Sequence, residues 1–131
     1  MKKSSSVCVR VYADQEAIEQ GKSLLKAKNR ELDHLAKGLG LAGNKVRLSI
    51  LFLLHRNGKL CVCDLSDVLG MTMAAVSQHL RKLKDGGFVK PERVGQTIFY
   101  QIQEKQIVFL DTLLSFLEIS ESEFFELKAN K

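Results

Sequence analysis

The spacing of apolar residues predicts that most of the chain is helical. Asp14 has the side chain of a helix N-cap and precedes a helical pattern over residues 15–28. Leucines at positions i, i+3 and i+7 indicate a further helix over residues 29–39. Asn44 is a second candidate N-cap. Residues 45–56 after it are apolar on nearly every side, which is typical of a helix at the centre of a core.

Two shorter helices are predicted next, separated by a glycine. The first covers residues 62–69 and ends at Gly70, and the second covers residues 72–85 with Thr72 as its N-cap. His79 lies beside the apolar face of the second helix, and we expect it to be a partly buried, hydrogen-bonded structural residue. The residues expected to face the core are Leu65, Val68, Leu69, Val76, Leu80 and Leu83.

The apolar period then changes from 3.6 to 2, which indicates β-structure. The segment FVKPERVGQTIFYQI predicts two strands joined by a turn near Val94 and Gly95. The inward face of this hairpin is expected to consist of Val89, Ile98, Tyr100 and Ile102. A helix over residues 103–118 follows, and Ser120 is the candidate N-cap of a short last helix.

Helix, turn, helix and hairpin in this order predict a winged helix-turn-helix fold, mainly α with a β-hairpin wing. We expect an N-terminal arm over residues 1–13 and one domain over residues 14–131. The sequence G-L-G-L-A-G at residues 38–43 matches a dinucleotide-binding fingerprint. That fingerprint works only between a strand and a helix, so we interpret these residues as a turn between helices.

The composition favours a cytosolic protein that binds a polyanion. The formal net charge is +5, with 20 Lys and Arg against 15 Asp and Glu. The chain has neither the apolar run of a membrane span nor that of a signal peptide, so we expect a reducing compartment and no membrane contact. Three cysteines, an odd number, argue against a disulfide framework. No nucleophile–base pair or paired carboxylate is evident, so an enzyme is not expected.

The outer face of the predicted helix 72–85 carries side chains suited to the major groove of DNA. Glutamine pairs with adenine and arginine with guanine, whereas serine and lysine suit phosphates or base edges. A basic hairpin downstream of such a helix adds backbone contacts. We therefore predict DNA contacts from Thr72, Met73, Ser77, Gln78, Arg81, Lys82 and Lys84 in the helix and from Lys90, Arg93 and Gln96 in the hairpin.

The segment L-C-V-C-D-L at residues 60–65 places two cysteines one residue apart. They can be core packing, a redox pair or two ligands of a metal ion. In an extended lead-in or a frayed first turn, Cys61 and Cys63 project the same way, and a helix N-terminus favours the thiolate that binds metals. Asp64 is expected to cap the helix or to lie in its first turn. Metal or metalloid binding is therefore the favoured interpretation.

The predicted helix 103–118 is apolar around most of its circumference. A terminal helix of this kind is typically buried on two sides, one against its own core and one against a partner subunit. The residues predicted to lie in a homodimer interface are Ile107, Leu110, Leu113, Leu114 and Leu117. Such a dimer would place two DNA-reading helices one turn apart and implies a near-palindromic site on double-stranded DNA.

These motifs together resemble the ArsR/SmtB family of repressors. The similarity covers residues 30–118, from V-R-L-S-I-L through L-C-V-C-D-L and A-V-S-Q-H-L-R-K-L-K-D-G-G-F-V to R-V-G-Q-T-I-F-Y. The resemblance implies a homodimeric winged-helix repressor that leaves operator DNA when a toxic metal or metalloid binds. The family's second metal site, on the last long helix, is not expected here because no histidine follows His79.

The N-terminal segment V-C-V-R-V-Y-A-D-Q-E also resembles the arm of the cadmium- and lead-sensing branch. That resemblance implies a site made of Cys8, Cys61 and Cys63, with Tyr12 at the position of a fourth cysteine. Three thiolates suit lead, arsenic, antimony and mercury, whereas cadmium and zinc call for a fourth donor. Cadmium or lead is favoured as inducer on the arm resemblance. The alternative is a repressor that senses redox state or sulfide through these thiols.

Overall fold

The computed structural model describes residues 11–118. Among them, one compact unit ends at Ala36 and a second begins at Lys37. Short 3-10 turns lie on either side of the last helix, at Glu104–Gln106 and Ser115–Leu117. The elements are α1 (Gln15–Ala42), α2 (Lys45–Asn57), β1 (Lys59–Cys61), α3 (Val62–Leu69), α4 (Met73–Asp85), β2 (Val89–Val94), β3 (Thr97–Ile102) and α5 (Ile107–Leu114). The prediction of a mainly helical chain with a β-hairpin is confirmed.

Helix α1 is one continuous helix where two were expected. It begins at the predicted N-cap, since Asp14 Oδ1 accepts a hydrogen bond from the Ala17 amide at 3.0 Å. The glycine-rich run expected to be a turn instead forms the end of α1, and the turn is confined to Gly43 and Asn44. Ala42 is buried in the core, so packing of the last turn outweighs the roughly 1 kcal/mol that each helical glycine costs.

Helix α2 is the central core helix, as predicted. Asn44 Oδ1 accepts a hydrogen bond from the Arg47 amide at 3.0 Å and so satisfies one of the free N–H groups at the helix start. At the other end, Gly58 has a φ of 91° and its amide donates to the Leu54 carbonyl at 2.8 Å. The buried residues of α2 are Ile50, Leu51 and Leu54.

The hydrophobic core joins α2, α3, α4, the base of the sheet and α5. The predicted inward residues of α4 are all fully buried: Val76, Leu80 and Leu83. Two other predictions were wrong, because Val68 of α3 is 63% exposed and Ile98 of β3 is 36% exposed. Val68 lies on the outer side of a helix only eight residues long, and Ile98 lies towards the end of the hairpin, beyond the reach of the core.

The sheet has three antiparallel strands in the order β1-β3-β2. The hairpin β2–β3 is confirmed, with Val94 opposite Thr97 and a two-residue turn between them. Gly95 in that turn has a φ of 65°, and no non-glycine residue in the described chain has a positive φ, so the turn is type II′. The strand β1 was predicted only as an extended lead-in. It pairs with β3, with Lys59 opposite Gln101.

Part of what the sequence predicts lies outside the residues that the structure describes. Cys8 and Ser120 lie outside the described residues, and the boundary after residue 13 stays a prediction. No helix among residues 11–118 is long and apolar enough to cross a membrane.

The N-cap of α2 gives a prediction about stability. Replacing Asn44 with alanine leaves an N–H group at the start of α2 without its partner, so we expect the free energy of unfolding to fall by about 1 kcal/mol. Chemical denaturation measures the change. The matched control is Asn29→Ala at an exposed position inside α1, where alanine favours the helix. Equal effects of the two variants would contradict the capping role.

Candidate nucleic-acid interface and thiol site

Helices α3 and α4 form a helix-turn-helix whose turn is fixed by local hydrogen bonds. Gly70 ends α3 in the left-handed conformation, with a φ of 67°, and its amide donates to the Ser66 carbonyl. The Ser66 hydroxyl donates to the carbonyl of Met71 in the turn. Thr72 then caps α4, because its Oγ1 accepts a hydrogen bond from the Ala75 amide at 3.1 Å. The start of α4 is therefore held at a defined angle to α3.

The face of α4 opposite the core carries the residues predicted to contact DNA. Thr72 is exposed, although its oxygen also serves as the N-cap, and Met73 is 49% exposed. Ser77 is half-buried. The remaining predicted residues of the helix are all exposed: Gln78, Arg81, Lys82 and Lys84. The arrangement presents small and polar groups at the positive end of the helix dipole, where DNA phosphates are favoured.

His79 lies at the side of α4, between the buried face and the exposed face. It is half-buried, as predicted, but its Nδ1 atom is buried without a hydrogen-bond partner among the described residues, contrary to the hydrogen-bonded role that we expected. Burial, together with the charges of Arg47 and Lys82, lowers the pKa of His79 below its ordinary value. The imidazole is thus kept neutral by its surroundings.

The wing places its predicted basic residues on different sides. Arg93 in β2 and Gln96 in the turn are exposed, whereas Lys90 is half-buried at the base of β2. Because successive side chains of a strand point to opposite faces, Lys90 and Arg93 lie on opposite faces of the hairpin. The tip, with Arg93 and Gln96, is thus the part of the wing best placed for a phosphate backbone.

An acidic residue in the wing was not among the predicted site residues. Glu92 lies in β2 between the two basic positions, and its Oε1 atom is 2.8 Å from Lys59 Nζ in β1. The hydrogen bond and charge of Lys59 lower the pKa of the Glu92 carboxyl, so the pair is ionised. No local sequence pattern indicates this pair, because 33 residues separate its members and only the sheet register brings them together.

The first cysteine of the C-V-C segment joins a strand to a helix. Cys61 is the last residue of β1 and the N-cap of α3, and its sulfur accepts a hydrogen bond from the Asp64 amide at 3.3 Å. Its side chain is only 8% exposed. Burial raises the pKa of the Cys61 thiol more than the Asp64 amide lowers it, and the charges of Asp64 and Cys63 raise it further. The expectation of a helix-stabilised thiolate is therefore wrong for the uncomplexed Cys61.

The second cysteine has the opposite environment. Cys63 lies in the first turn of α3 and is exposed. Asp64 is also in that first turn, as expected, and it is exposed. Among residues 11–118, no three Cys, His, Asp or Glu side chains lie close enough together to hold a metal ion. The two thiols of this segment therefore need a donor from elsewhere to form a metal site, and the predicted third ligand, Cys8, is outside the described residues.

The predicted dimer residues, in α5 and the 3-10 turn after it, fall into three groups by exposure. Leu110 and Leu114 are 0% and 5% exposed because both fill the protomer's own core, and the partner contact predicted for them stays a prediction. Leu113 is half-buried against that core. Ile107 and Leu117 are 41% and 49% exposed and keep surface for a partner. The most exposed apolar side chains in this region are Val108 and Phe116, which were not among the predicted interface residues.

A histidine–carboxylate pair was also missed by the prediction. His55 Nε2 of α2 and Asp111 Oδ1 of α5 are 2.5 Å apart, although 56 residues separate them in the chain. A cavity of about 460 Å³ adjoins the pair and is lined with side chains of α2, the sheet and α5. Its lining residues include no serine or cysteine that the histidine could activate. We therefore assign the pair a structural role, joining α5 to the core.

Comparison with known proteins places this architecture among bacterial regulators. The model of the bacterial regulatory protein arsR family matches residues 44–90, which include α2, α3 and α4. The chain is 28% identical over 104 residues to a cadmium resistance transcriptional regulatory protein CadC homolog from Staphylococcus aureus. That match covers 79% of this chain and 84% of the relative.

Solved structures agree with this assignment. Reduced HlyU from Vibrio cholerae is 30% identical with a TM-score of 0.66, and the match covers 73% of this chain and all of that one (100%). A homodimeric winged helix-turn-helix DNA-binding domain from Mycobacterium bovis is 26% identical with a TM-score of 0.60. Here the match covers 83% of this chain and 89% of that domain.

The environment of His79 predicts how stability depends on pH. The pKa of His79 is lowered in the folded protein, so the unfolded chain binds more protons, and stability is lost as the pH falls below the ordinary value of 6.5. Replacing His79 with glutamine should remove this part of the loss. Urea denaturation from about pH 8 to pH 5 measures it. His34→Gln, at an exposed position of α1, is the control and should leave the wild-type slope unchanged.

The two cysteines of α3 should differ in reactivity. In a Cys8→Ser background, iodoacetamide at neutral pH should alkylate Cys63 well before Cys61, because Cys63 is exposed while burial shields Cys61 and raises its thiol pKa. Mass spectrometry of the digested protein follows both sites over time. In denaturant the two rates should converge. Similar alkylation rates in the folded protein would show that the Cys61 thiol is not shielded from solvent.

Proposed function

The chain belongs to the arsR family of bacterial regulatory proteins, and from that premise we propose that it is a metal-responsive repressor. It is a DNA-binding transcriptional regulator and not an enzyme. In the proposed function, a homodimer occupies operator DNA and leaves it when a soft metal ion binds a cysteine site. The observation that carries the proposal is the position of Cys61 and Cys63 at the start of the helix that precedes the DNA-reading helix.

The DNA-binding part of the proposal is supported by the outer face of α4. Its core side is anchored by three fully buried residues, so the polar side is held at a fixed orientation. Gln78 and Arg81 are exposed there with spacing i and i+3, which makes them neighbours on the helix surface. We propose that these two read base edges and that Lys82, Lys84 and the wing tip contact phosphates.

The metal-binding part is supported by the chemistry of the donors. Soft thiolates select soft ions, and the reducing cytosol in which we place the protein keeps them free of disulfides. Cys61 and Cys63 would supply two sulfurs at the first turn of α3. We propose that Cys8 of the N-terminal arm supplies a third sulfur, from the same subunit or from its partner.

The inducer is proposed to be cadmium or lead. The similarity to a regulator named for cadmium resistance extends over 104 residues and supports cadmium. A set of three sulfurs also suits lead, mercury, arsenic and antimony, whereas zinc and cadmium call for a fourth donor. Tyr12, at the position where the resemblance implies a further cysteine, is 83% exposed among the described residues.

The dimer is supported by apolar side chains that the protomer leaves exposed. Val108 of α5 is 76% exposed, and Phe116 of the 3-10 turn after it is 86% exposed. In α1, exposed leucines recur at helical spacing, at positions 24, 25, 32 and 35, with exposures from 46% to 66%. Monomeric proteins rarely expose such apolar surface, so we propose that a second copy of this chain covers it. A two-fold dimer then implies a near-palindromic operator.

The proposed response depends on the junction between β1 and α3. When Cys61 and Cys63 are drawn together with a third ligand, the first turn of α3 must adjust, and α3 packs directly against α4. The two α4 helices of the dimer would then lose the spacing that suits the operator. Couplings between two sites in proteins are typically about 1–3 kcal/mol, which corresponds to roughly a 5- to 150-fold change in operator affinity.

A redox or sulfide sensor is the second candidate function, favoured by the exposure of Cys63. In that case an oxidant would remove two electrons and two protons from a pair of thiols to form a disulfide. An anaerobic titration separates the two functions. A metal sensor responds without oxidant and develops a thiolate-to-metal absorption band, whereas a redox sensor does neither.

Cysteine variants test the metal-responsive function. A duplex selected from a random-sequence library by the metal-free protein can serve as the operator. We expect Cys61→Ser and Cys63→Ser to bind this duplex like the wild type but not to release it with cadmium chloride, because each loses one sulfur ligand. Ser66→Ala in the same helix is the control and should still release DNA.

Operator affinity is measured by fluorescence anisotropy under anaerobic conditions. If the cysteine variants lose DNA binding without metal, the cysteines are structural. If they release DNA with cadmium as the wild type does, the site lies elsewhere.

A further inference from the structure

One ion pair connects the strand that carries Cys61 to the wing. Lys59 Nζ of β1 is 2.8 Å from Glu92 Oε1 of β2, and it also lies 5.9 Å from the centre of the Phe99 ring of β3. The contact therefore spans all three strands of the sheet. Lys59 and Glu92 are each about half exposed (47% and 46%), so solvent weakens the pair without removing it.

The register of the sheet aligns this contact with the thiol site. Phe99 stands opposite Cys61 on one side and opposite Glu92 on the other, so the three residues form one row across the sheet. Lys59 is two residues before Cys61 and on the same face of β1, because side chains of a strand alternate. The ion pair thus reaches diagonally from β1 over Phe99 to the wing.

Strand β1 is short enough to transmit a displacement along its length. It has three residues, with Lys59 at one end and Cys61, the N-cap of α3, at the other. Two strand residues span roughly 7 Å, and the pairing of β1 with β3 keeps the segment extended. A shift of Cys61 therefore displaces Lys59 relative to β2.

We propose that the Lys59–Glu92 ion pair couples the thiol site to the wing, so that these two side chains are positioning residues of the metal response. The proposal rests on the proposed function, in which ligation of Cys61 and Cys63 weakens DNA binding. The ion pair would thus be a second connection between the thiol site and the DNA-binding surface, through the sheet, beside the direct packing of α3 against α4.

The electrostatics of the wing give the pair its effect on DNA. A carboxylate beside a phosphate backbone repels it, and Lys59 neutralises Glu92 as long as the two remain in contact. When β1 shifts and the pair separates, the negative charge of Glu92 is left on a wing whose other charged residues, Lys90 and Arg93, are basic. The wing then binds phosphate less well, in addition to any change in the position of α4.

A double-mutant cycle tests this inference. Lys59→Met, Glu92→Gln and the double variant are compared with the wild type for affinity to the library-selected duplex, without metal and with cadmium chloride. Glu104→Gln is the charge-matched control: it removes one exposed carboxylate just after β3, outside the ion pair. Titration of cadmium by thiolate absorbance, without DNA, shows whether each variant still binds the ion.

Without metal, we expect Lys59→Met to weaken operator binding more in the wild type than in the Glu92→Gln background. The difference should be about two- to fivefold, as an exposed ion pair allows. With cadmium, the fall in operator affinity should be smaller in each single variant than in the wild type and in Glu104→Gln. Cadmium binding itself should be unchanged.

Several results would overturn the inference. Strictly additive effects, or a cadmium response equal to that of the wild type in both single variants, would show that the pair carries no coupling, while the proposed function would stand. Loss of cadmium binding in these variants would make the pair a support of the thiol site and not a link to the wing. A wild type that neither binds cadmium nor releases DNA would remove the proposed function, and the inference with it.

Discussion

The structure depends on the junction at Cys61, where one residue ends a strand and begins a helix. Its backbone closes β1 against β3, and its sulfur accepts the Asp64 amide at the start of α3. Serine, threonine, aspartate and asparagine are the usual residues at such a position, and each provides an oxygen acceptor. A thiol caps a helix less well than these oxygens. It can, however, bind a soft ion, which the proposed function requires. Any ligand of that sulfur competes directly with the cap of α3.

In the proposed function, this competition would link a change at one sulfur atom to the proposed DNA-binding surface. Helix α3 has eight residues and packs on α4, whose residues Val76, Leu80 and Leu83 are fully buried in the core. On the other side of the junction, β1 has three residues and is tied to the wing through β3. The two parts of the proposed DNA-binding surface, α4 and the wing, therefore each adjoin an element that begins or ends at this cap.

Most of the fold could be predicted from the sequence, because local signals and long-range packing agree there. Asp14, Asn44 and Thr72 each have the side chain of a cap, and each accepts the amide of the residue three positions later. The sequence predicts less where burial depends on contacts between residues that are far apart in the chain. Leu110 and Leu114 share an apolar helix with exposed residues, and only the packing of α5 on α2 shows which side is buried. The turn expected at residues 38–43 forms the end of α1 instead, because glycine signals flexibility only locally, whereas the last turn of α1 is held by the core.

The candidate site was predictable in its residue types but not in its environment. The sequence indicates two cysteines at a helix start, and dipole arguments alone suggest two activated thiolates. The structure separates them, since Cys63 is exposed whereas burial raises the pKa of Cys61.

A metal ion has to displace the proton from such a thiol, so proton release accompanies binding, and affinity falls as the pH decreases. A soft ion with a strong preference for sulfur overcomes this cost more readily than a hard one. In the proposed function, the raised thiol pKa of Cys61 would therefore favour thiophilic ions over weakly bound ions as ligands that displace its sulfur from the cap of α3.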